Sequence, residues 1–253
     1  MDKIIVDNNK VVNYRDSSIL IKGNEIKFSK DGNYTLEYIN SSDINLNIEV
    51  IDSVNVNLFI ISADNKLKVN NTYKLGDNSV INLDKFYYND SVKESLVVNL
   101  GGISSRFNYR FSSISKGEEE YHIIVNHNNH KVNSNVVNKC ICLDKSKISM
   151  TIDSVLDKGN NDCVMDQTSR ILTLGEADAT IRPNMFIEED SVEARHGSVV
   201  GRIDEEEIFY LMSRGIGLED AIDLVIKGFI FSNLNVDMEK RGRIFQIIQN
   251  LRR

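Results

Sequence analysis

From Met1 to about Lys116 the chain is a succession of short apolar runs with a partial period of two, each closed by polar turn residues. Within Ile44 to Ile61, Leu46, Ile48 and Val50 alternate with Asn and Glu. Val80-Ile81-Asn82-Leu83, then Leu96-Val97-Val98-Asn99-Leu100 closed by Gly101-Gly102, then Phe107 to Phe111 continue the pattern. Turn clusters stand at Asp31-Gly32-Asn33, Ser41-Ser42-Asp43, Gly76-Asp77-Asn78 and Lys158-Gly159-Asn160-Asn161. None of these runs carries a helical period. Strands at such short intervals build a sandwich, a barrel or a β-solenoid. No repeat of fixed length is visible, so a solenoid here has to be irregular.

Past Ile203 the period changes. Asp204 followed by Glu205, Glu206 and Glu207 predicts a helix N-cap with acids in the first turn, Glu207 being placed to complete a capping box. Ile208, Leu211 and Met212 share a face, and Arg214-Gly215 supplies a C-terminal cation and a residue able to turn left-handed. A second helix is expected from about Leu218 to Phe231, with Ala221, Ile222, Val225 and Phe229 on one stripe. A third, about Val236 to Leu251, carries Ile244, Phe245, Ile248 and Leu251, with Arg241, Arg243, Arg252 and Arg253 beside them. The expected organisation is a β-body over residues 1–203 and a helical domain over 204–253. That much apolar helix surface does not suit a thin appendage in water; either part packs on the β-body and the rest meets a partner, or, equally well supported by the residues alone, the whole tail caps the β-core.

Composition narrows the classes. A chain of 253 residues can bury a real core, and 41% hydrophobic residues argue against disorder. The net charge of −7 makes nucleic acid a poor main partner. No apolar run approaches a membrane span, and the start lacks the long apolar stretch of a signal peptide. Three cysteines do not suggest a disulfide framework, and the expectation is a cytoplasmic protein. One proline, no tryptophan and an excess of Asn, Asp, Ser, Ile and Val suit many strands with polar turns.

Candidate chemistry is sparse. The chain has no phosphate-cradling glycine loop, no Gly-x-Ser-x-Gly elbow and no His-Glu-x-x-His, so most enzyme classes are unsupported. His122, His127 and His130 lie close to Cys140 and Cys142, which would share one face of a strand. Zinc held by Cys140, Cys142 and His130 is one reading, but the spacing matches no zinc ribbon or knuckle. Two small apolar-favouring cysteines in a core is the simpler one, and Cys163 belongs to a core or strand edge. His196, between Arg195 and Gly197, stands where strand gives way to helix, at an edge where it can face a partner or ligand, although by chemistry alone a structural role is the simpler reading of a lone histidine.

The segment His196 to Glu206 resembles the His-Gly-(Ala/Ser)-x-Val-Gly-x-(Ile/Leu)-Asp-Glu-Glu signature of the SufB/SufD family of iron–sulfur cluster assembly scaffolds. Phe209 to Ile216 resembles the Phe-Tyr-Leu-x-Ser-Arg-Gly-Ile that follows it. Upstream, Asp166-Gln167-Thr168-Ser169-Arg170-Ile171-Leu172 is similar to the family's Gln-Thr/Ser-x-Arg strand, and Pro183 to a proline ahead of its Leu-Glu-Ile. His127, His130, Ser134, Asn135 and Lys139 match a further stretch more loosely. The resemblance implies a right-handed parallel β-helix, with Asn and Ser stacked at its turns, and a C-terminal helical domain that docks on a SufC-type ABC ATPase. Phe209, Tyr210, Arg214, Gly215 and Ile216 then lie at the docking contact. It also implies pairing of two scaffold subunits through their β-helices, with His196 at the interface where the cluster is built. SufB-type members carry a cysteine where this chain has Ser169, and Glu-His-Glu where it has Arg195-His196-Gly197. Both departures place it nearer SufD. The implied function is a non-enzymatic scaffold subunit, pairing with a SufB-like subunit, that holds an iron–sulfur cluster only transiently at a shared interface. No metal site belonging to this chain alone is implied beyond His196, shared with the partner. The alternatives are a self-pairing minimal scaffold and a β-solenoid platform without cluster chemistry. The family's usual N-terminal helical extension is expected to be absent or reduced.

Overall fold

The computed structural model describes residues 2–13, 19–63 and 66–249. Within them the chain opens on two antiparallel hairpins, β1 (Asp2–Asp7) with β2 (Lys10–Asn13) and β3 (Ile19–Lys22) with β4 (Glu25–Phe28). Coils of two strands follow: β5 (Gly32–Ile39) and β6 (Asp43–Val50), β7 (Asn55–Ala63) and β8 (Lys66–Leu75), β9 (Val80–Tyr88) and β10 (Ser91–Leu100). Three more are β11 (Arg106–Ser115) and β12 (Glu118–His127), β13 (Asn133–Cys142) and β14 (Lys147–Leu156), β15 (Cys163–Thr173) and β16 (Asp178–Ile187). A last strand, β17 (Val192–Arg202), leads into α1 (Glu205–Ser213), α2 (Leu218–Phe231) and α3 (Met238–Gln249).

From β5 on, odd strands stack in one sheet and even strands in the other, each parallel to the strand two places away. This is a β-solenoid, the architecture that the resemblance implied. Its irregularity is real: the stacked residues Asn33 and Asn57 lie 24 positions apart, whereas Asn138 and Ser169 lie 31 apart. The extra residues lengthen the strands, from eight residues each in β5 and β6 to ten in β13 and β14, as well as the turns between them. One turn nevertheless repeats coil after coil. Ser53, Asn78, Ser104, Lys131 and Asp162 all take positive φ, between 54° and 60°. Each of their N–H groups donates to a carbonyl of the next coil: Asp77, Ile103, His130, Asn161 and Ser191. Those bonds fix the left-handed turn even for Ser and Lys, which rarely adopt it. Of the expected turn clusters, Asp31-Gly32-Asn33 is shorter than read, because Gly32 and Asn33 already begin β5.

The strands bury alternate residues toward the opposite sheet, as in β6, where Ile44, Leu46, Ile48 and Val50 are buried and Asn45, Asn47 and Glu49 are not. Asparagines stack on the outer face of the strands rather than at the turns: Asn57 Nδ2 donates to Asn33 Oδ1, Asn82 to Asn57 and Asn108 to Asn82, each at 2.8 Å. Further along the odd sheet the outer face is apolar. Phe59, Phe86, Ile114, Ile141 and Leu172 form a second core with Ile226 and Ile230 of α2, Leu234 and Val236 of the following loop, and Ile244 and Ile248 of α3. The helices therefore lie back along the solenoid, and Arg243 of α3 reaches Glu37 on β5.

The helix boundaries follow the caps. Asp204 Oδ1 accepts from Glu206 N–H at 2.9 Å, and Gly215 takes φ +89° just past the C-cap Arg214. On α2 the expected stripe is rotated: Ala221 and Val225 are buried, but Ile226 and Ile230 complete the face, while Ile222 and Phe229 are only partly buried. The reason is that the helix meets a flat sheet with a wide contact face, which the narrow four-residue stripe under-read. The third helix is shorter at its start than expected, and Ile244 and Ile248 are its buried residues; Leu251, Arg252 and Arg253 lie outside the described residues.

Candidate functional site

Among the described residues no strand lies beyond the last coil. Gln167 and Ser169 on β15 point into the core, 1% and 2% exposed. Their register partners on β17 are His196 and Ser198. Register partners on parallel strands face the same way, so His196 and Ser198 occupy the inward row of the terminal strand. With no further coil to cover them, both are exposed. On the opposite sheet, β16 sets Ile181, Pro183 and Met185 in register with the buried Met150, Ile152 and Ser154 of β14, and leaves them only half-buried. One long side of β17 carries unpaired backbone groups. Phe186, Ile187, Val199 and Val200 add exposed apolar surface.

His196 stands over a polar floor. Gln167 Nε2 donates to Ser154 Oγ at 2.7 Å, and Asn138 Nδ2 donates to Ser169 Oγ at 3.0 Å. The other oxygens, Gln167 Oε1 and Asn138 Oδ1, are buried without a hydrogen-bond partner. On the outer face Arg195 pairs with Asp166 at 3.0 Å. A Cβ added at Gly197 would meet nothing within 4 Å, so the glycine beside the histidine leaves room for another molecule to approach.

The other histidines and the cysteines do different work. His127 is fully buried; its Nδ1 donates to Val155 O at 3.1 Å and its Nε2 accepts from Ser134 Oγ at 2.8 Å. Burial pulls its pKa down to about 4, so the ring is neutral and structural. Cys140 and Cys142 do share the inward face of β13, as expected, and burial pushes the Cys140 thiol up to about 12. A thiol so held is a poor metal ligand and nucleophile at neutral pH. His130 sits in the exposed turn after β12, where its Nδ1 accepts from Asn161 N–H. Among the described residues no group of three His, Cys, Asp or Glu is placed to hold a metal ion. Cys163 is a core residue whose thiol donates to Asn129 O and Asn160 O at 3.3 Å.

The second candidate surface is α1, which buries none of its residues. Phe209 is 73% and Tyr210 56% exposed, and the Arg214 guanidinium lies 5.2 Å from the Tyr210 ring centroid. Ile216 is half-buried, its N–H donating to Leu211 O, and Gly215 carries the left-handed turn between them. Met212, Leu218 and Leu224 extend the exposed apolar set across the α1–α2 corner.

Residues 46–229 match the family model described as SUF system FeS cluster assembly, SufBD core domain. The chain belongs to the SufBD family. It is similar to the iron–sulfur cluster assembly protein SufD of Bacillus subtilis, 42% identical over 81 residues, which cover 32% of this chain and 18% of that protein. It is 35% identical over 106 residues to SufD of Escherichia coli, covering 41% of this chain and 25% of that one. An iron–sulfur cluster assembly SufBD family protein of Pyrococcus horikoshii is 24% identical over 239 residues, covering 91% of this chain and 59% of its own length. The matches thus span less than two thirds of these curated relatives. SufBD membership fits a scaffold in iron–sulfur cluster assembly, and no helix among the described residues is long and apolar enough to cross a membrane.

Sequence reasoning placed His196 at a strand-to-helix junction; the structure places it within β17, six residues before that strand ends at Arg202. It missed the open coil around it, since the alternation along β16 and β17 looks like that of any covered strand. It also missed Lys85 and Glu94, an ion pair sealed inside the solenoid with side chains 0% and 1% exposed. Charged residues at inward positions of β9 and β10 were the available signal.

Proposed function

We propose that this chain is a SufD-like scaffold subunit that pairs through its open coil with a SufB-like subunit and docks a SufC-type ABC ATPase through its C-terminal helices. The observation that carries this reading is the exposed inward row of β17, with His196 uncovered at the open end of a core that offers serine at 169. A second solenoid laid end-on would cover the apolar residues of β16 and β17 and bury His196 at the joint. The cluster is the cargo. An imidazole is one ligand for it, but thiolate is the ligand a cluster most needs, and Ser169 is a buried hydroxyl already accepting from Asn138. The thiolate therefore comes from the partner, and this chain holds no cluster by itself. Phe209, Tyr210, Arg214, Gly215 and Ile216 form the ATPase contact: an exposed aromatic pair with a cation stacked on it is the composition of an interface anchor. The chain acts as a scaffold and does not hydrolyse ATP, and its site of action is the cytoplasm. A homodimer through the same open coil is the second arrangement that this surface allows.

The test is His196→Ala in the complex with both partners. The reading expects the complex to assemble and cluster formation to fall sharply. Unchanged cluster formation would leave the solenoid as a platform without a part in the chemistry.

A further inference from the structure

Six cations on the outer faces of the solenoid are laid beside acids of the adjacent coil, although Arg106, between Val80 and Asn133, is not. Lys27 pairs with Glu49, Lys68 with Asp43, Lys93 with Glu120, Arg110 with Asp84, Lys147 with Asp178 and Arg195 with Asp166. Where two cations do meet in register, as Lys68 and Lys93 do, each has an acid on its other side. Lys139 on β13 and Arg170 on β15 break the pattern. They are register partners, and the flanking positions are Ser112 and Val199. Among the described residues neither is paired with a carboxylate. Like charges directly opposite on neighbouring strands destabilise a sheet, and a chain of net charge −7 has acids to spare.

The pair lies in a cleft of about 480 Å³ between α1, α2 and the sheet. Both cations lie against one ring, that of Phe229, with Lys139 Nζ 5.5 Å and Arg170 Cζ 5.7 Å from its centroid. Ser232 Oγ donates to Phe229 O at 2.7 Å and so accepts from Lys139 Nζ at 2.8 Å, which leaves the ammonium two further N–H groups. Burial, and then the charge of Arg170, lower the Lys139 pKa. Leu172, Leu211, Leu224 and Val225 line the rest of the cleft, and Glu207 of α1 is its one carboxylate.

We infer that Lys139 and Arg170 form a binding site for a phosphate-class oxyanion, either free phosphate or the phosphoryl group of a small organic phosphate. A guanidinium fork and an adjacent ammonium match the oxygens and the double charge of phosphate. The apolar remainder of the cleft fits an organic body. This site does not rest on the pairing role proposed for the open coil, since its cations lie on β13 and β15 beneath the helices; it does adjoin the α1–α2 surface proposed for ATPase docking, through Glu207, Leu211 and Leu224.

The test is calorimetric titration of the full chain with inorganic phosphate and, separately, phenyl phosphate, with sodium chloride at matched ionic strength as control. Phosphate should bind where chloride does not, and K139Q and R170Q should each weaken it about tenfold, the usual loss for a charged hydrogen bond. K93Q, on the even sheet, should leave binding unchanged. Without phosphate, R170Q should melt at or above the wild-type temperature, because it relieves a like-charge contact; a merely structural arginine would lower it. Tighter binding of phenyl phosphate would identify an organic phosphate as the ligand, and equal binding free phosphate. Binding no stronger than chloride, or equal binding in both variants, would overturn the proposal.

Discussion

Gln167 and His196 are register partners on adjacent parallel strands, yet Gln167 is sealed in the core while His196 faces solvent. The difference is one coil. Every strand from β5 to β15 has a neighbour on each side in its sheet, whereas β17, among the described residues, has one on a single side. The solenoid therefore presents its own cross-section as a surface, and the residues on that surface are those an additional coil would bury.

That geometry predicts a contrast between two glycines. A Cβ at Gly102 would come within 2.0 Å of the Gly76 carbonyl carbon of the preceding coil, a backbone contact that cannot yield. Gly102→Ala should destabilise the fold by about 1–3 kcal/mol in urea unfolding, the usual range of overpacked core positions. Gly197→Ala meets nothing in this chain and should leave stability unchanged, while weakening whatever covers β17. A destabilised Gly197→Ala would mean that the open coil is already packed by its own chain.

The Lys85–Glu94 pair inside the solenoid should be costly to break and cheap to replace. Lys85→Met leaves the buried Glu94 carboxylate uncompensated, and a loss of about 3–5 kcal/mol is expected. Lys85→Met with Glu94→Leu should recover most of that loss, because two apolar groups of similar size remove both desolvation terms. Equal loss in the single and double variants would show that Tyr87 and Tyr109, whose ring centroids lie 5.3 and 5.4 Å from Lys85 Nζ, depend on its charge.

Two buried groups titrate in opposite senses. Burial raises the Glu119 pKa from 4.5 to about 7, so the folded state holds its proton more tightly and stability falls as pH rises from 4.5 through 7. Burial lowers the His127 pKa from 6.5 to about 4, so that contribution is present above pH 6.5 and is lost as pH falls toward 4. In the wild type the two slopes oppose each other between these limits. Glu119→Gln should unmask the histidine, giving a melting temperature that rises with pH up to about 6.5. A variant profile that matches the wild type would place the Glu119 pKa near its ordinary value.

Phe209→Asp should cost the isolated chain almost nothing, because the ring is 73% exposed and α1 buries no residue. If α1 is the ATPase contact, the same change should abolish co-purification with a SufC-like protein. Retained binding would move the contact elsewhere on the chain.

Much of the fold was legible. Alternation in strands such as β6 and the caps at Asp204 and Gly215 report local physics, and local physics decided them. What was not legible depends on what lies above a face. Asn55 to Ala63 breaks strict alternation because Phe59 and Ile61 point outward beneath α3 and α2, a cover supplied by residues far along the chain. Val199 and Val200 read as ordinary strand residues because the pattern records which way a side chain points, not whether anything meets it. His196 was singled out by its motif, and only the missing coil explains its exposure.

The most direct measurement is the mass of the complexes formed when this chain is co-expressed with SufB-like and SufC-like proteins of the same organism. A complex that contains all three is expected, lost when Val200→Asp is placed on the inward row of β17. A chain that pairs only with itself and the ATPase, excluding the SufB-like protein, would contradict the SufD-like assignment.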